Sequence, residues 1–239
     1  MILNELIQRS PIRIFMNSIH GGLGNGELGV IASPSGIGKT SVLVQIALDK
    51  LLQGKKIIHI SFTQHTDHVL TWYENIFDEF IRKKNLENED EVKNEIVKNR
   101  VLMKFNQEGT TTDQILKSLR ALIKDGSFNA ESVIIDGFDF SRAKKDSIIA
   151  LRAFAAEMGV SVWYSCTVKS GEPPYDKHNV PLIIKDYADL FEVIIVLDPK
   201  PEPAASGHIS FTVSKDRETY DAAHPELKLD PRTLLILEG

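Results

Sequence analysis

Residues 33–41 read Ser-Pro-Ser-Gly-Ile-Gly-Lys-Thr-Ser, a run whose residue types suit the capture of phosphate. Several backbone N–H groups must converge on phosphate oxygens, and Gly36 and Gly38 permit the dihedrals and close approach this requires. A helix starting directly after the loop would add its unpaired N–H groups and its positive end. Lys39 would then reach the outer phosphates of a nucleotide, and the Thr40 hydroxyl would ligate Mg²⁺. The expected nucleotide contacts are Ser35, Gly36, Ile37, Gly38, Lys39, Thr40 and Ser41. The run departs from the usual phosphate-loop pattern at its first position, where Ser33 replaces glycine. The metal shell also needs an acidic residue at the end of a neighbouring apolar strand, and Val133-Ile134-Ile135-Asp136 supplies one. Asp136 is expected to act through water; the plainer alternative is an Asp that caps the following turn.

Other candidates carry less. Gly24-x-Gly26-x-x-Gly29 matches a dinucleotide fingerprint, but it precedes the strand instead of following it, so it reads as a tight turn. His65 and His68 bring two imidazoles to a helix start without further ligands nearby in sequence, while Thr66 or Asp67 makes a good N-cap. Cys166 lies in an apolar run and reads as packed. Trp72, Tyr73, Phe77 and Phe80 recur at helical spacing and read as core before they read as a base-stacking surface. The loop Val168–Pro181 balances Lys169, Lys177 and His178 against Glu172 and Asp176, too even a charge to track a phosphate backbone.

These residues need a scaffold, and the chain alternates apolar runs with helical patterns, the signature of a parallel α/β sheet. Strands are expected at Leu28–Ala32, Lys56–Phe62, Val101–Phe105, Ser132–Asp136, Ser161–Cys166 and Glu192–Leu197. Helices are expected over Thr40–Gln53, in two pieces over Asp67–Arg100 with a bend at Asn85–Asp90, over Thr111–Lys124 capped by Thr112 or Asp113, and over Ser147–Met158. The strands His208–Ser214, Glu226–Leu229 and Leu234–Glu238 follow without helices between them, which predicts a C-terminal antiparallel extension. The loop Pro199–Ser206 is too short for a domain linker, so residues 1–239 are read as one domain. With 28 Lys+Arg against 33 Asp+Glu and a net charge of −5, the chain lacks the basic excess of a dedicated nucleic-acid binder. No apolar run is long enough to cross a bilayer, the first residues do not resemble a signal peptide, and one cysteine fits a reducing compartment. The expectation is a cytoplasmic protein with no membrane partner.

The stretch FMNSIHGGLGNGELGVIASPSGIGKTSVLVQIALDKLLQGKKIIHISF resembles the core of the RecA-like P-loop ATPases, nearest to the circadian clock KaiC family and more distantly to DnaB-type helicases. Similarity resumes at VIIDG, SVWYSCT, Ala188-Asp189 before EVIIVL, and FTVSKDR, and so spans most of the chain. It implies a RecA-like nucleotide-binding domain that takes ATP and Mg²⁺. Relatives carry a glutamate after the second strand that activates the attacking water; here Thr63 and Gln64 stand in that place. Gln64 can orient a water but cannot accept its proton, so turnover is expected to be slow or absent; Asp139 and Glu74 are alternative bases. The resemblance also implies that Lys215 and Arg217 reach the γ-phosphate of a neighbouring subunit, with both on one face of a strand. It follows that the chain is expected to form a homo-oligomer, a hexamer being one form. Three functions stay open: the first is a weak ATPase in an oligomeric regulatory or signalling module with a protein partner, and the second is an ATP sensor that assembles without hydrolysis. A recombinase or helicase accessory that binds single-stranded DNA is the third.

Overall fold

The structure is a computed structural model that describes residues 11–84, 89–169, 174–199, 208–220, 227–233 and 235–238. The first element among the described residues is a short helix, α1 (Pro11–Ser18), which the apolar periodicity had not revealed. Then come β1 (Leu28–Ser33), α2 (Lys39–Leu52), β2 (Lys56–Ser61), α3 (Thr66–Lys84) and α4 (Glu89–Lys98). The bend expected at Asn85–Asp90 lies largely outside the described residues. Next are β3 (Arg100–Lys104), α5 (Thr112–Arg120), β4 (Ala130–Asp136), α6 (Lys145–Met158) and β5 (Ser161–Thr167). A 3₁₀ segment, Leu182–Leu190, precedes β6 (Val193–Pro199). The chain then finishes through β7 (Ile209–Asp216), β8 (Thr219–Tyr220), β9 (Leu227–Leu229) and β10 (Ile236–Glu238).

The sheet has the order β10-β9-β7-β6-β1-β5-β4-β2-β3, with β8 paired to β7. From β6 to β3 every pairing is parallel. From β6 outward through β7, β8, β9 and β10 every pairing is antiparallel, as the loss of intervening helices predicted. Parallel strands need crossover helices, which cover both faces and explain the near-continuous apolar runs. Alternation sends Ile31, Ile57, Ile134 and Trp163 to a core shared with α1, α2, α3 and α4. It sends Val30, Ile58, Val133 and Tyr164 to a second core under α5, α6 and the 3₁₀ segment. Trp163 is so close to β1 that a Cβ on Gly29 would sit 2.6 Å from its ring, so packing, not dinucleotide binding, accounts for that glycine.

Local signals set several boundaries. Thr111, not Thr112 or Asp113, caps α5: its hydroxyl accepts from Gln114 N, and the Gln114 side chain returns to Thr111 N, a capping box. The expected helix to Lys124 ends instead at Arg120 and passes into a π-helical turn over Ala121–Asp125. No helix among the described residues is long and apolar enough to cross a membrane.

Candidate functional site

The site is built at the carboxyl ends of the parallel strands, where alternation puts small polar side chains on the α2 face. Ser33 follows Ile31 on β1, Ser61 follows His59 on β2, Asp136 follows Ile134 on β4, and Ser165 follows Trp163 on β5; all four are buried. In register, Ser61 lies opposite Asp136. The same face also buries His59, Ser132 and Ser161 further back along the strands, so the four groups at the strand ends form a separate polar edge.

The loop from Ser33 turns into α2 through two residues that only glycine tolerates well, Gly36 with φ +80° and Gly38 with φ +111°. Gly38 is the N-cap and no side chain caps the helix. Its first-turn N–H groups therefore have no intrahelical partner, and they face the edge where the strands end. Lys39 is 8% exposed, and burial lowers its pKa below the usual lysine value while Cys166 and Asp136 oppose that shift. Its ammonium donates to Ser33 O at 3.1 Å, Ser33 Oγ at 3.2 Å and Pro34 O at 2.8 Å.

Thr40 Oγ1 donates to Asp136 Oδ2 at 2.9 Å, joining the start of α2 to the end of β4. Asp136 Oδ1 accepts from Ser165 Oγ at 2.6 Å, and that hydroxyl in turn accepts from Gly137 N at 2.7 Å. The carboxylate is thus held from one side and presents the other to Thr40. A hydroxyl and a buried carboxylate are the hard oxygen donors that Mg²⁺ takes, so the residues present fit that ion, which Thr40 would hold directly and Asp136 through water.

Lys39, Thr40 and Asp136 are therefore brought together. Ser35 and Gly36 are exposed at the loop tip, and Ile37 packs partly on the α2-side core. Ser41 faces inward, where its oxygens accept from Gln45 Nε2 at 3.3 Å. Ser33 was noted only as the departure from glycine, and Ser61 and Ser165 were not singled out in the sequence; the available signal was a small polar residue at the end of a buried strand.

The two residues in place of the glutamate separate. Thr63 lies against Gly137, whose Cβ, if it had one, would stand 2.5 Å from Thr63 Oγ1, so Thr63 adjoins Asp136. Gln64 anchors its backbone N–H on Ser61 Oγ at 3.0 Å. Its side chain lines a groove along α3 with His68, Thr71, Trp72 and Asn75, and its buried Oε1 has no hydrogen-bond partner. Asp139 is occupied in a turn, accepting from Ser141 N at 3.0 Å and Ser141 Oγ at 2.5 Å, while Glu74 is exposed on α3. His65 pairs with Asp67 at 3.3 Å, and no group of three or more potential metal ligands occurs among the described residues. Cys166 is packed as expected, and burial pushes its thiol pKa up to about 12.

Lys215 and Arg217 lie at the other end of the sheet. β7 runs antiparallel to β6, and its Asp216 pairs with Val193 at the start of that strand. At ~3.3 Å per residue the length of β1, about 16 Å, separates this end from the phosphate loop. The expected shared strand face is not kept: β7 ends at Asp216, and Arg217 sits in the turn with φ +54°. Lys215 is buried, and its ammonium donates to Ala188 O at 2.9 Å and Phe191 O at 2.7 Å. Arg217 bonds Asp216 at 2.7 Å, Glu27 at 3.2 Å and the Gly22 carbonyl at 3.2 Å. The sequence led to an expectation that this pair would face a neighbouring subunit because nothing in it revealed the 3₁₀ segment whose end holds Lys215. In comparisons with known proteins, no family model matches this sequence and no curated protein matches it.

Proposed function

We propose that this chain is a RecA-like nucleotide-binding protein that takes Mg²⁺-ATP at the loop 33–41 and turns it over slowly or not at all, serving as a regulatory or signalling module. The observation that carries the reading is the Thr40–Asp136 contact at 2.9 Å beside a buried Lys39. A hydroxyl and a carboxylate meet where a hard cation would take both, next to open helix N–H groups and one ammonium. When bound, Mg²⁺ would neutralise charge on the outer phosphates. Lys39 would bind the phosphate oxygens, Thr40 and Asp136 would hold the metal shell, and Ser165 would keep the carboxylate oriented. Thr63, next to Asp136, has no group that accepts a proton at neutral pH, and Gln64 can at most orient water. This favours sensing over fast hydrolysis.

An oligomeric form of the same reading follows from where Lys215 and Arg217 lie. They cannot reach the phosphate loop of their own chain, so a phosphate contact would have to be made with a neighbour's nucleotide. Such a role also requires release from the carbonyls and carboxylates that now hold them. Sedimentation with and without Mg²⁺-ATP tests that assembly.

The deciding experiment is titration calorimetry with Mg²⁺-ATP together with phosphate release, for the wild type and Lys39→Ala. The variant should bind about 10–100-fold more weakly, the loss of a charge-assisted contact to phosphate. Equal binding by both proteins would remove the loop from the site. Fast release that vanishes in the variant would replace the sensor with an efficient ATPase.

A further inference from the structure

The place where the chain departs from the usual phosphate loop is also where Lys39 is held. An ammonium has three donors and no acceptor. Here it faces three acceptors that all belong to the first two residues of the loop: Ser33 O at 3.1 Å, Ser33 Oγ at 3.2 Å and Pro34 O at 2.8 Å. Ser33 Oγ also donates to Pro34 O at 2.9 Å. Ammonium, hydroxyl and carbonyl therefore close a ring in which each oxygen is a partner of the other two groups. A glycine at position 33 would leave the two backbone carbonyls but remove the hydroxyl, and with it the ring. Ser33 is fully buried at the end of β1, where it pairs with Thr167 of β5, so its side chain has little freedom to turn elsewhere.

We infer that Ser33 is a positioning residue that competes with phosphate for Lys39, keeping its ammonium folded back on the loop until a nucleotide draws it off. The inference deepens the nucleotide reading and rests on it for the competition, but not for the holding. The ammonium exchanges a neutral hydroxyl for a charged phosphate oxygen when ligand arrives, and the hydroxyl bond is lost in that exchange. Binding is therefore weaker than the same loop would give without it. The same cost is subtracted from every ligand that draws the ammonium off, so Ser33 lowers affinity without choosing between a γ-phosphate and a β-phosphate where both reach Lys39.

The test uses the full chain with Ser33→Ala, which keeps the Cβ, and Ser33→Gly, which restores the usual residue. Two readouts are taken, with thermal melting to confirm that each variant folds. The first needs no nucleotide: acetylation of Lys39 by acetic anhydride, followed by mass spectrometry from pH 7 to 10. Loss of an acceptor disfavours the charged amine, so Lys39 should be labelled severalfold faster in both variants and its pH profile should move to lower pH. The second is calorimetric affinity for Mg²⁺-ATP and Mg²⁺-ADP. Both variants should bind ATP about three- to tenfold more tightly, the size expected when one modest hydrogen bond no longer competes. ADP affinity should rise by no more than ATP affinity, because a ligand that leaves the ammonium on Ser33 gains nothing from the variant.

Unchanged labelling in both variants would overturn the holding role. Unchanged or weaker ATP binding would overturn the competition, and weaker binding would mean that the hydroxyl itself helps to hold phosphate. If neither the wild type nor any variant binds Mg²⁺-ATP, the nucleotide reading fails and the competition with it, while the labelling still decides whether Ser33 holds the ammonium.

Discussion

Asp136 shows how much of a site depends on one neighbour. Its carboxylate is 3% exposed, and its Oδ1 is satisfied by Ser165, which at the same time takes the Gly137 N–H. Ser165→Ala would strand a buried carboxylate oxygen and a backbone donor together. Leaving such groups unpaired costs about 1–3 kcal/mol in stability, and freeing a metal-shell residue typically weakens metal affinity about tenfold or more. The free energy of unfolding in urea should drop by that amount, and more Mg²⁺ should be needed to support ATP binding. A lowered midpoint with unchanged Mg²⁺ dependence would leave Ser165 a purely structural residue. Thr63 is set by equally local means: it fills the space over Gly137, which has φ +78° and no Cβ to exclude it. The residue beside the carboxylate in this chain is therefore a threonine.

At the scale of elements, the segment Leu182–Leu190 and strand β7 are joined by Lys215. Its ammonium takes the carbonyls of Ala188 and Phe191, where the segment stops, and its ring neighbour Tyr220 lies at 5.9 Å. Burial lowers its pKa, while Asp189, Glu192 and Glu218 favour the charged form. Lys215→Met keeps the aliphatic stem but removes the donors, and Ala188 O retains the Phe191 N–H as a partner. One carbonyl is then left short, so stability should fall by about 1–3 kcal/mol in urea unfolding. A variant as stable as the wild type would show that the ammonium is not engaged within the chain. The same element explains where the sequence was opaque. Strands and helices with strong apolar periods were legible, as was the antiparallel end, because period and spacing are local properties. Lys39, Thr40 and Asp136 were legible because residue type and position within a strand–loop–helix define them. The 3₁₀ segment has no such period, so the cover over Lys215 was invisible. Serine is too common a residue for Ser61 and Ser165 to stand out until strand register brings them to one edge with Ser33, which the sequence marked only as a departure from glycine.

At the scale of the whole molecule, the sheet buries a titratable ring one strand in from its β3 edge. His59 on β2 lies between Leu102 and Ile134, is 1% exposed, and shares a hydrogen bond of 3.0 Å with Tyr73 OH from α3. Arg100 of β3 stands over the Tyr73 ring at 4.3 Å. Burial lowers the His59 pKa from 6.5 to about 4, with Asp136 opposing the shift and Arg100 adding to it. In the unfolded chain the ring protonates near its ordinary value, so between about pH 6.5 and 4 the unfolded state binds more protons and stability rises with pH. On acidification the protein should lose up to about 3 kcal/mol across that window from this group, a large share of the ~5–15 kcal/mol typical of a domain. Glu157, held down to about 2 by Arg120 and Lys124, titrates in a separate range: its contribution is present above about pH 4.5 and fades only below it. Urea midpoints taken at whole pH steps from about 8 down to about 3 distinguish the two. His59→Gln keeps a hydrogen-bonding group near Tyr73 without a titrating ring, so it should flatten the decline between pH 6.5 and 4.5 while leaving any fall at lower pH. Parallel curves for wild type and variant would assign the acid sensitivity elsewhere and show that the buried ring is carried through the pH range without cost to the fold.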